Sequence, residues 1–150
     1  MVVTHHESLT RELDPVVLYK ILQLRVDVFV VEQECPYPEL DGRDVEPRTR
    51  QFWTTDETGA VLATLRLLTE GDDDGDDRRI GRVATARDAR GHGYAGVLLE
   101  QAVARASGHA IHLDAQSRLE PWYARYGFVR SGDDFLEDDI LHVPMTRSAS

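Results

Sequence analysis

The run Arg90-Gly91-His92-Gly93-Tyr94-Ala95-Gly96 carries the most specific chemistry in the chain. Glycine adopts positive φ without penalty and puts no side chain in the way, so backbone N–H groups there can approach an anion closely. Behind the run, Val97, Leu98, Ala102, Val103 and Ala106 recur at helical spacing, so the run opens a helix. Ahead of it, Ile80 to Ala86 is short and partly β-branched, as a buried strand is. The first N–H groups of a helix have no partner within it, and the helix dipole favours negative charge there. Strand, glycine turn and helix start together make a site for phosphate or pyrophosphate.

Three phosphate-binding patterns compete. A Walker loop requires Gly-Lys-Ser/Thr, which this turn lacks. A dinucleotide fingerprint, G-x-G-x-x-G, fits Gly91 to Gly96 letter for letter, with Asp114 near the place of the ribose-binding acid. In that motif the first glycine follows the strand almost directly, whereas Arg87-Asp88-Ala89-Arg90 intervene here. Little chain remains after the motif for a full dinucleotide fold. The third pattern is Arg/Gln-x-x-Gly-x-Gly/Ala, which Arg90 to Ala95 satisfies. A second element, Tyr-x-x-x-Gly-Phe, stands downstream as Tyr123-Ala124-Arg125-Tyr126-Gly127-Phe128.

These two elements at this separation resemble the GNAT family of acetyl-CoA-dependent N-acetyltransferases. The run Val28 to Tyr37, with Asp41-Gly42 beyond it, resembles the ElaA-type subgroup. So do Leu113 to Gln116 and Glu137 to His142, although that subgroup tends to have Gly where Asp139 stands and Pro where Leu141 stands. The resemblance spans about Leu18 to Met145. It implies an α/β (α+β) fold, a mixed and mostly antiparallel sheet with helices on both faces. It also implies direct transfer of an acetyl group from acetyl-CoA to a primary amine of a small molecule or peptide.

Composition bounds this reading. A chain of 150 residues is expected to be one domain, residues 1–150, large enough for its own core. The net charge of −10 argues against nucleic acid or an anionic membrane, since phosphate contacts need a basic patch. It would favour a cationic partner such as an amine, or simply keep the protein soluble. No apolar run approaches the ~20 residues of a membrane span, and no signal-peptide pattern is present. Cys35 is alone, which suits a reducing cytoplasm. Monomer and homodimer are both compatible with the sequence.

The elements that position these residues read in order. A first strand is expected around Thr4 to Leu9, with His5-His6 a solvated pair. Asp14-Pro15 is a helix start, an N-cap followed by proline at the first helical position. Leu18, Ile21, Leu22, Arg25, Val28 and Phe29 then form a stripe ending near Val31. Arg25 on that stripe either snorkels or pairs with a buried carboxylate. Glu32 to Pro47, broken by Pro36, Pro38, Gly42 and Pro47, is a long loop of the kind that binds ligands. Gln51 to Thr55 and Val61 to Thr69 form a hairpin turned at Asp56 to Gly59. Glu70 to Asp77 suggests a calcium loop, but the required bidentate Glu falls on Gly81, so a solvated hairpin tip is expected and no metal site. Arg79 to Ala86 returns antiparallel to Val61–Thr69. Ala110 to Asp114 is a strand, Glu120 to Tyr126 a short helix, and Phe128 onward a strand interrupted by the acidic turn Asp133 to Asp139. Ile140 to Met145 closes the sheet.

Acetyl transfer requires a held cofactor, a polarised thioester, a neutral amine and a protonated leaving thiolate. N–H groups of Arg90, Gly91, His92, Gly93, Tyr94 and Ala95 are the candidate pyrophosphate site. By resemblance, Val83, Ala84 and Thr85 bond the pantetheine arm, and a free N–H of Val83 or Ala84 polarises the carbonyl. Gln116 stands where many members have an Asn that contacts the arm. Tyr123 matches the family tyrosine facing the sulfur, a candidate general acid; the alternative is a core tyrosine. Glu32, His112 and His142 are candidate bases, acting directly or through water, histidine being the residue type whose intrinsic pKa best suits the task. Phe29, Glu32, Arg66, Arg82, His112 and His142 are the candidate acceptor-binding residues. The two arginines either bind a substrate carboxylate or neutralise nearby acids. Two other readings remain open at this point: a GNAT-fold protein that binds acetyl-CoA as a sensor or interaction module without turnover, and a dinucleotide-binding module built on Gly91–Gly96.

Overall fold

The computed structural model describes residues 2–71 and 77–149. Most of the acidic stretch Glu70 to Asp77, and with it the expected hairpin tip, lies outside the described residues. Strand β1 (Thr4–Leu9) falls where expected. His5 and His6 on it are half-buried rather than solvated: His5 Nδ1 lies 2.7 Å from Thr54 Oγ1 and His6 Nε2 2.8 Å from Thr55 Oγ1. The antiparallel register that brings Thr4 opposite Thr55 makes these cross-strand pairs.

Helix α1 (Pro15–Val26) begins as the local signals dictate, with the Asp14 carboxylate accepting from the Val16 N–H at 2.8 Å. It does not end at Val26. The coil widens into a π-helical turn over Asp27–Glu32, as helices often do at functional sites. This turn carries Phe29 and Glu32 toward the middle of the sheet.

Strands β2 (Arg50–Thr55), β3 (Val61–Glu70) and β4 (Asp77–Thr85) follow as an antiparallel meander. Residues Ala63 to Leu68 of β3 are buried without alternation, because helices cover both faces of this central strand. Helix α2 (Tyr94–Arg105) packs on one face, and strand β5 (Ile111–Gln116), helix α3 (Glu120–Ala124) and strands β6 (Val129–Arg130), β7 (Phe135–Glu137) and β8 (Ile140–Arg147) complete the fold. The sheet order is β1-β2-β3-β4-β5-β8-β6, with β7 on β8. It is mixed and mostly antiparallel, the β4–β5 pair being parallel. The main core lies between the sheet and α2, where Leu98, Leu99 and Ala102 are fully buried against Phe52, Leu65 and Leu113. Each such leucine contributes ~1.5–3 kcal/mol by burial. Leu24 and Val28 pack with Ala84 in a second cluster on the opposite face.

Two expectations are corrected. The turn Asp133 to Asp139 is not simply an interruption, since Phe135–Glu137 forms a strand paired with Ile140–His142. And β8 does not close an edge but sits inside, between β5 and β6. The dinucleotide reading also fails. A 3-10 turn, Arg87–Ala89, separates β4 from Gly91, the sheet is not a parallel one, and the Asp114 carboxylate faces Arg79 at 3.3 Å.

Candidate active site

Strands β4 and β5 pair only at Arg78–Ile111 and Arg79–His112. Beyond that point they part, β4 running on to Thr85 and β5 to Gln116. The edge of β4 from Ile80 onward therefore faces open space rather than a strand. A cleft of about 760 Å³ occupies the gap, lined by Val83, Ala84 and Thr85 on one side and Leu113, Asp114 and Gln116 on the other. Within β4 the register to β3 shifts between Thr64–Ala84 and Arg66–Gly81. Arg82, inside this bulge, has φ of 52°, an uncommon conformation for a side chain of its size. A bulge re-aims the backbone groups on either side of it.

At one end of the cleft stands the glycine turn. Gly91 and Gly93 have φ of 88° and 78°, and Gly93 is the residue that caps α2. The first backbone bond of α2 runs from Val97 N to Gly93 O at 3.2 Å, which leaves the N–H groups of Tyr94, Ala95 and Gly96 outside the helical ladder. Arg90, Gly91, Gly93, Tyr94 and Ala95 line the cleft. His92 does not; its ring stacks on Tyr94 at 5.4 Å. Gly96 serves packing instead of φ, because a Cβ there would run into the Tyr126 hydroxyl. That explains the third glycine of the apparent dinucleotide pattern.

Arg90 is held by Glu32. Its two terminal nitrogens each donate to one carboxylate oxygen at 2.7 Å, and its Nε donates to Thr85 O at 3.2 Å. The Arg90 hydrogen bonds hold the Glu32 carboxyl below its ordinary range. That is the wrong direction for a base working on an amine.

Tyr123 sits on α3 in the cleft wall, only 5% exposed. Among the described residues its hydroxyl has no hydrogen-bond partner, and burial alone pushes its phenol well above the usual range. Its ring packs edge-on against Trp122 and Phe128. Tyr126 and Trp122 also line the cleft and pack on the core.

The other end of the cleft is built by side chains from distant segments. His142 on β8 lies opposite Gln116, its ring stacked on Phe135 at 5.7 Å. His142 Nδ1 is 2.8 Å from Ile140 O. A carbonyl only accepts, so Nδ1 carries the proton and the lone pair of the neutral ring is on Nε2. Phe29, Gln33, Tyr37, Glu137 and Asp138 join it. Gln116 Nε2 donates to Gln33 Oε1 at 3.4 Å and Gln116 Oε1 accepts from Arg118, so the end of β5 touches the residue that follows the π-helical turn. Cys35 Sγ is 3.5 Å from Asp138 O; burial first, then Asp138 and Asp139, push its thiol up. That disfavours a thiolate nucleophile.

Three candidate residues do not stand free at the cleft. His112 lies at the paired root of the splay, outside the lining, with Nε2 2.8 Å from Asp77 Oδ2 and Nδ1 3.0 Å from Thr146 Oγ1. Arg66 is 4% exposed and committed to Asp41 (2.7 and 2.9 Å) and Asp44 (3.2 Å). Arg82 lies against Glu39 and Asp41. The sequence did not single out Glu39, Gln33, Glu137 or Asp138, whose places depend on how the long loop and the last hairpin approach the splay.

A mixed sheet parted at its parallel pair, with a glycine-capped helix start at the mouth of the gap, is the architecture of an acyltransferase that uses an acyl-CoA cosubstrate. Residues 29–149 match the acetyltransferase (GNAT) domain, and the chain belongs to that family. It is 51% identical over 140 residues to a UPF0039 protein of Mycobacterium tuberculosis, covering 93% of this chain and 90% of that one. Against protein ElaA of Escherichia coli the identity is 36% over 149 residues, covering 95% and 92%. Among solved structures, an acyl-CoA N-acyltransferase from Pseudomonas aeruginosa superposes with a TM-score of 0.90 at 38% identity, covering 98% of this chain and all of that one. ElaA superposes with the same TM-score, 0.90, at 30% identity.

Proposed function

We propose that the protein is a single-domain cytoplasmic N-acetyltransferase that moves an acetyl group directly from acetyl-CoA to a primary amine of a small molecule or peptide within one ternary complex. The observation that carries this reading is the unpaired edge of β4. It leads from the helix start of α2 to the buried Tyr123 hydroxyl through one continuous cleft. The residues fit an acyl-CoA: free N–H groups and positive-φ glycines for the pyrophosphate, an open strand edge for the amide-bearing arm, and no side chain blocking the turn.

In this reading the N–H groups at the β4 bulge, of Val83 or Ala84, donate to the thioester oxygen as charge develops on it. The acceptor nitrogen attacks the carbonyl carbon and the carbon–sulfur bond breaks. His142 Nε2 takes the proton the amine loses, directly or through water. Tyr123 donates toward the departing sulfur. A phenol held above its ordinary range stays protonated at the working pH, so it is always available as a donor. Phe29 and the His142 side of the cleft receive the acceptor. Arg66 and Arg82, already neutralised by carboxylates, are assigned to structure instead of a substrate carboxylate.

The test is thiol release from acetyl-CoA across a panel of amines, with thermal shift by acetyl-CoA measured alongside. Amine-dependent thiol release with mass-detected N-acetyl product is the expected result. Stabilisation by acetyl-CoA with no turnover on any amine would instead favour a sensor, and stabilisation by neither would reject the cofactor assignment.

A further inference from the structure

Beneath the cleft lies a closed set of six charges: Arg25 of α1, Glu39, Asp41 and Asp44 of the long loop, Arg66 of β3 and Arg82 of the β4 bulge. Arg25 is fully buried. Its Nε donates to Glu39 Oε2 at 2.6 Å and its Nη1 to Asp44 Oδ1 at 2.6 Å. Asp44 in turn accepts from Arg66, and Asp41 accepts from Arg66 and, at 3.4 Å, from Arg82. The buried members, Arg25 and Arg66 against Glu39 and Asp44, balance in charge, as burial demands, and Asp41 and Arg82 extend the set toward the surface with one charge of each sign.

The set ends on the bulge. Arg82 Nε lies 2.9 Å from Glu39 Oε1 as an ion pair without hydrogen-bond geometry, and Arg82 Nη2 donates to the Glu39 backbone carbonyl at 3.1 Å. Glu39 Oε1 also accepts from the Tyr37 hydroxyl at 2.6 Å, and the Tyr37 ring lies 5.6 Å from the guanidinium of Arg82. Arg82 is thus gripped on three sides by the loop, while its own backbone sits at φ of 52°. A non-glycine residue leaves that region unless its surroundings hold it there. Glu39 does not line the cleft, so any effect it has on the reaction must pass through the lining residues it touches, Arg82 and Tyr37.

We infer that Glu39 is a positioning residue for acyl transfer: anchored by buried Arg25, it holds Arg82 in its left-handed conformation and so fixes the β4 bulge that aims an N–H at the thioester oxygen. This rests on the acyl-transfer reading above. It also accounts for why Arg82 is neutralised at the cleft wall.

The inference predicts an effect that needs no known acceptor. In wild-type protein, the infrared carbonyl band of bound, carbonyl-labelled acetyl-CoA should lie below its position in water, because the N–H polarises it. Glu39→Gln should lose at least about half of that displacement, while acetyl-CoA affinity stays within about threefold, since the pyrophosphate turn is untouched. Calorimetry and the melting curve of the same samples establish binding and folding. An unchanged band in a folded Glu39→Gln protein would overturn the inference. Absence of acetyl-CoA binding to the wild type would instead reject the acyl-transfer reading itself. If Glu39→Gln does not fold, Arg82→Gly and Arg82→Ala decide. Glycine tolerates the bulge conformation and alanine resists it, so the alanine variant should lose more of the displacement. Equal losses would mean that Arg82 acts through its side chain alone, and the positioning role would be wrong.

Discussion

The two ends of the cleft are built by different means. The cofactor end is made of backbone: two positive-φ glycines, three N–H groups outside the α2 ladder and the free edge of β4, all within Ile80 to Gly96. The end assigned to the acceptor is made of side chains from residues scattered between Phe29 and His142. Their positions depend on the balanced ion network under the long loop. A backbone site can tolerate surface substitution and still bind; a side-chain site is only as good as its supports. Damage to the network should therefore appear as lost stability and lost rate, and damage to the glycine turn as lost affinity.

Tyr123 lines the same cleft, and its removal should have the largest effect. Tyr123→Phe deletes one oxygen from a ring held edge-on by Trp122 and Phe128. Packing should survive, and with no hydrogen bond to lose, stability should hold. The turnover rate should fall by about 10²–10⁴-fold, the range for a positioned acid. A phenol held above its ordinary range gives up its proton less readily, so the lower part of that range is expected. A drop in kcat and kcat/KM together marks an interaction made in the transition state. Turnover within about threefold of wild type would return Tyr123 to the core and put water in its place.

Arg25→Met sharpens the comparison from the side of the supports. It leaves Glu39 and Asp44, 4% and 7% exposed, without their shared cation. Breaking a buried pair in this way costs about 3–5 kcal/mol, to be read from urea unfolding. Its acid dependence has a definite sign. The Asp41 carboxyl is held low chiefly by hydrogen bonds from Arg66. Burial pushes Asp44 up, but hydrogen bonding and charge from Arg25 and Arg66 outweigh it and the net direction is down. A group depressed in the folded state stabilises fully above its unfolded pKa, ~4 for Asp, and loses that contribution as pH falls through the folded value. The difference between wild type and Arg25→Met should therefore be full at neutral pH and shrink below about pH 4. A difference that is flat or growing on acidification would remove the network from the account.

Gly93→Val probes the backbone end. Nothing lies within 4 Å of a Cβ placed there, but φ is 78°. The cost comes from the left-handed conformation rather than crowding, about 1–2 kcal/mol and more for a branched residue. Acetyl-CoA should bind about five- to thirtyfold more weakly as the turn shifts, while the melting temperature moves little. Calorimetry showing unaltered affinity in the folded variant would mean the turn is not the pyrophosphate site.

The same division governs what could be read from the sequence. The glycine turn, the Asp14-Pro15 helix start, the first hairpin and the α2 stripe are local, so spacing and residue type located them. Tyr123 was reached through the resemblance carried by its own short motif. The supports were not legible to the same degree. Arg25 was marked as a cation on an apolar stripe, yet its partners Glu39 and Asp44 are reached only when the loop folds back over α1. His112 and His142 both looked like strand histidines. Which of them faces the cleft depends on where β4 and β5 stop pairing, just past Arg79–His112, and no residue type records that register. The last hairpin was hidden because its two turn residues, Asp138 and Asp139, have φ of 51° and 62°, positions where glycine or asparagine is the usual signal.

Glu32 spans the two ends, since it leaves the π-helical turn beside the acceptor residues and clamps Arg90 beside the pyrophosphate turn. Its substitution should have the smallest effect and decides between two roles. As a base, Glu32→Gln should cut turnover by about 10²-fold or more. As a clamp, it should leave turnover near wild type and release the positive charge of Arg90 toward the cofactor phosphates. The pair is exposed on both sides, and such pairs are worth ~0–1 kcal/mol, so affinity for acetyl-CoA should rise by no more than about fivefold. The gain should fade at high salt, because exposed charges are screened. Arg90 holds the carboxyl low, so Glu32 is already ionised at neutral pH, and mild acidification should not mimic the substitution. Calorimetry at low and high salt, with kcat measured beside it, reads both roles. A large rate loss with unchanged affinity would make Glu32 the base and take that role from His142; a small salt-sensitive gain in affinity would leave it as the clamp joining the two ends.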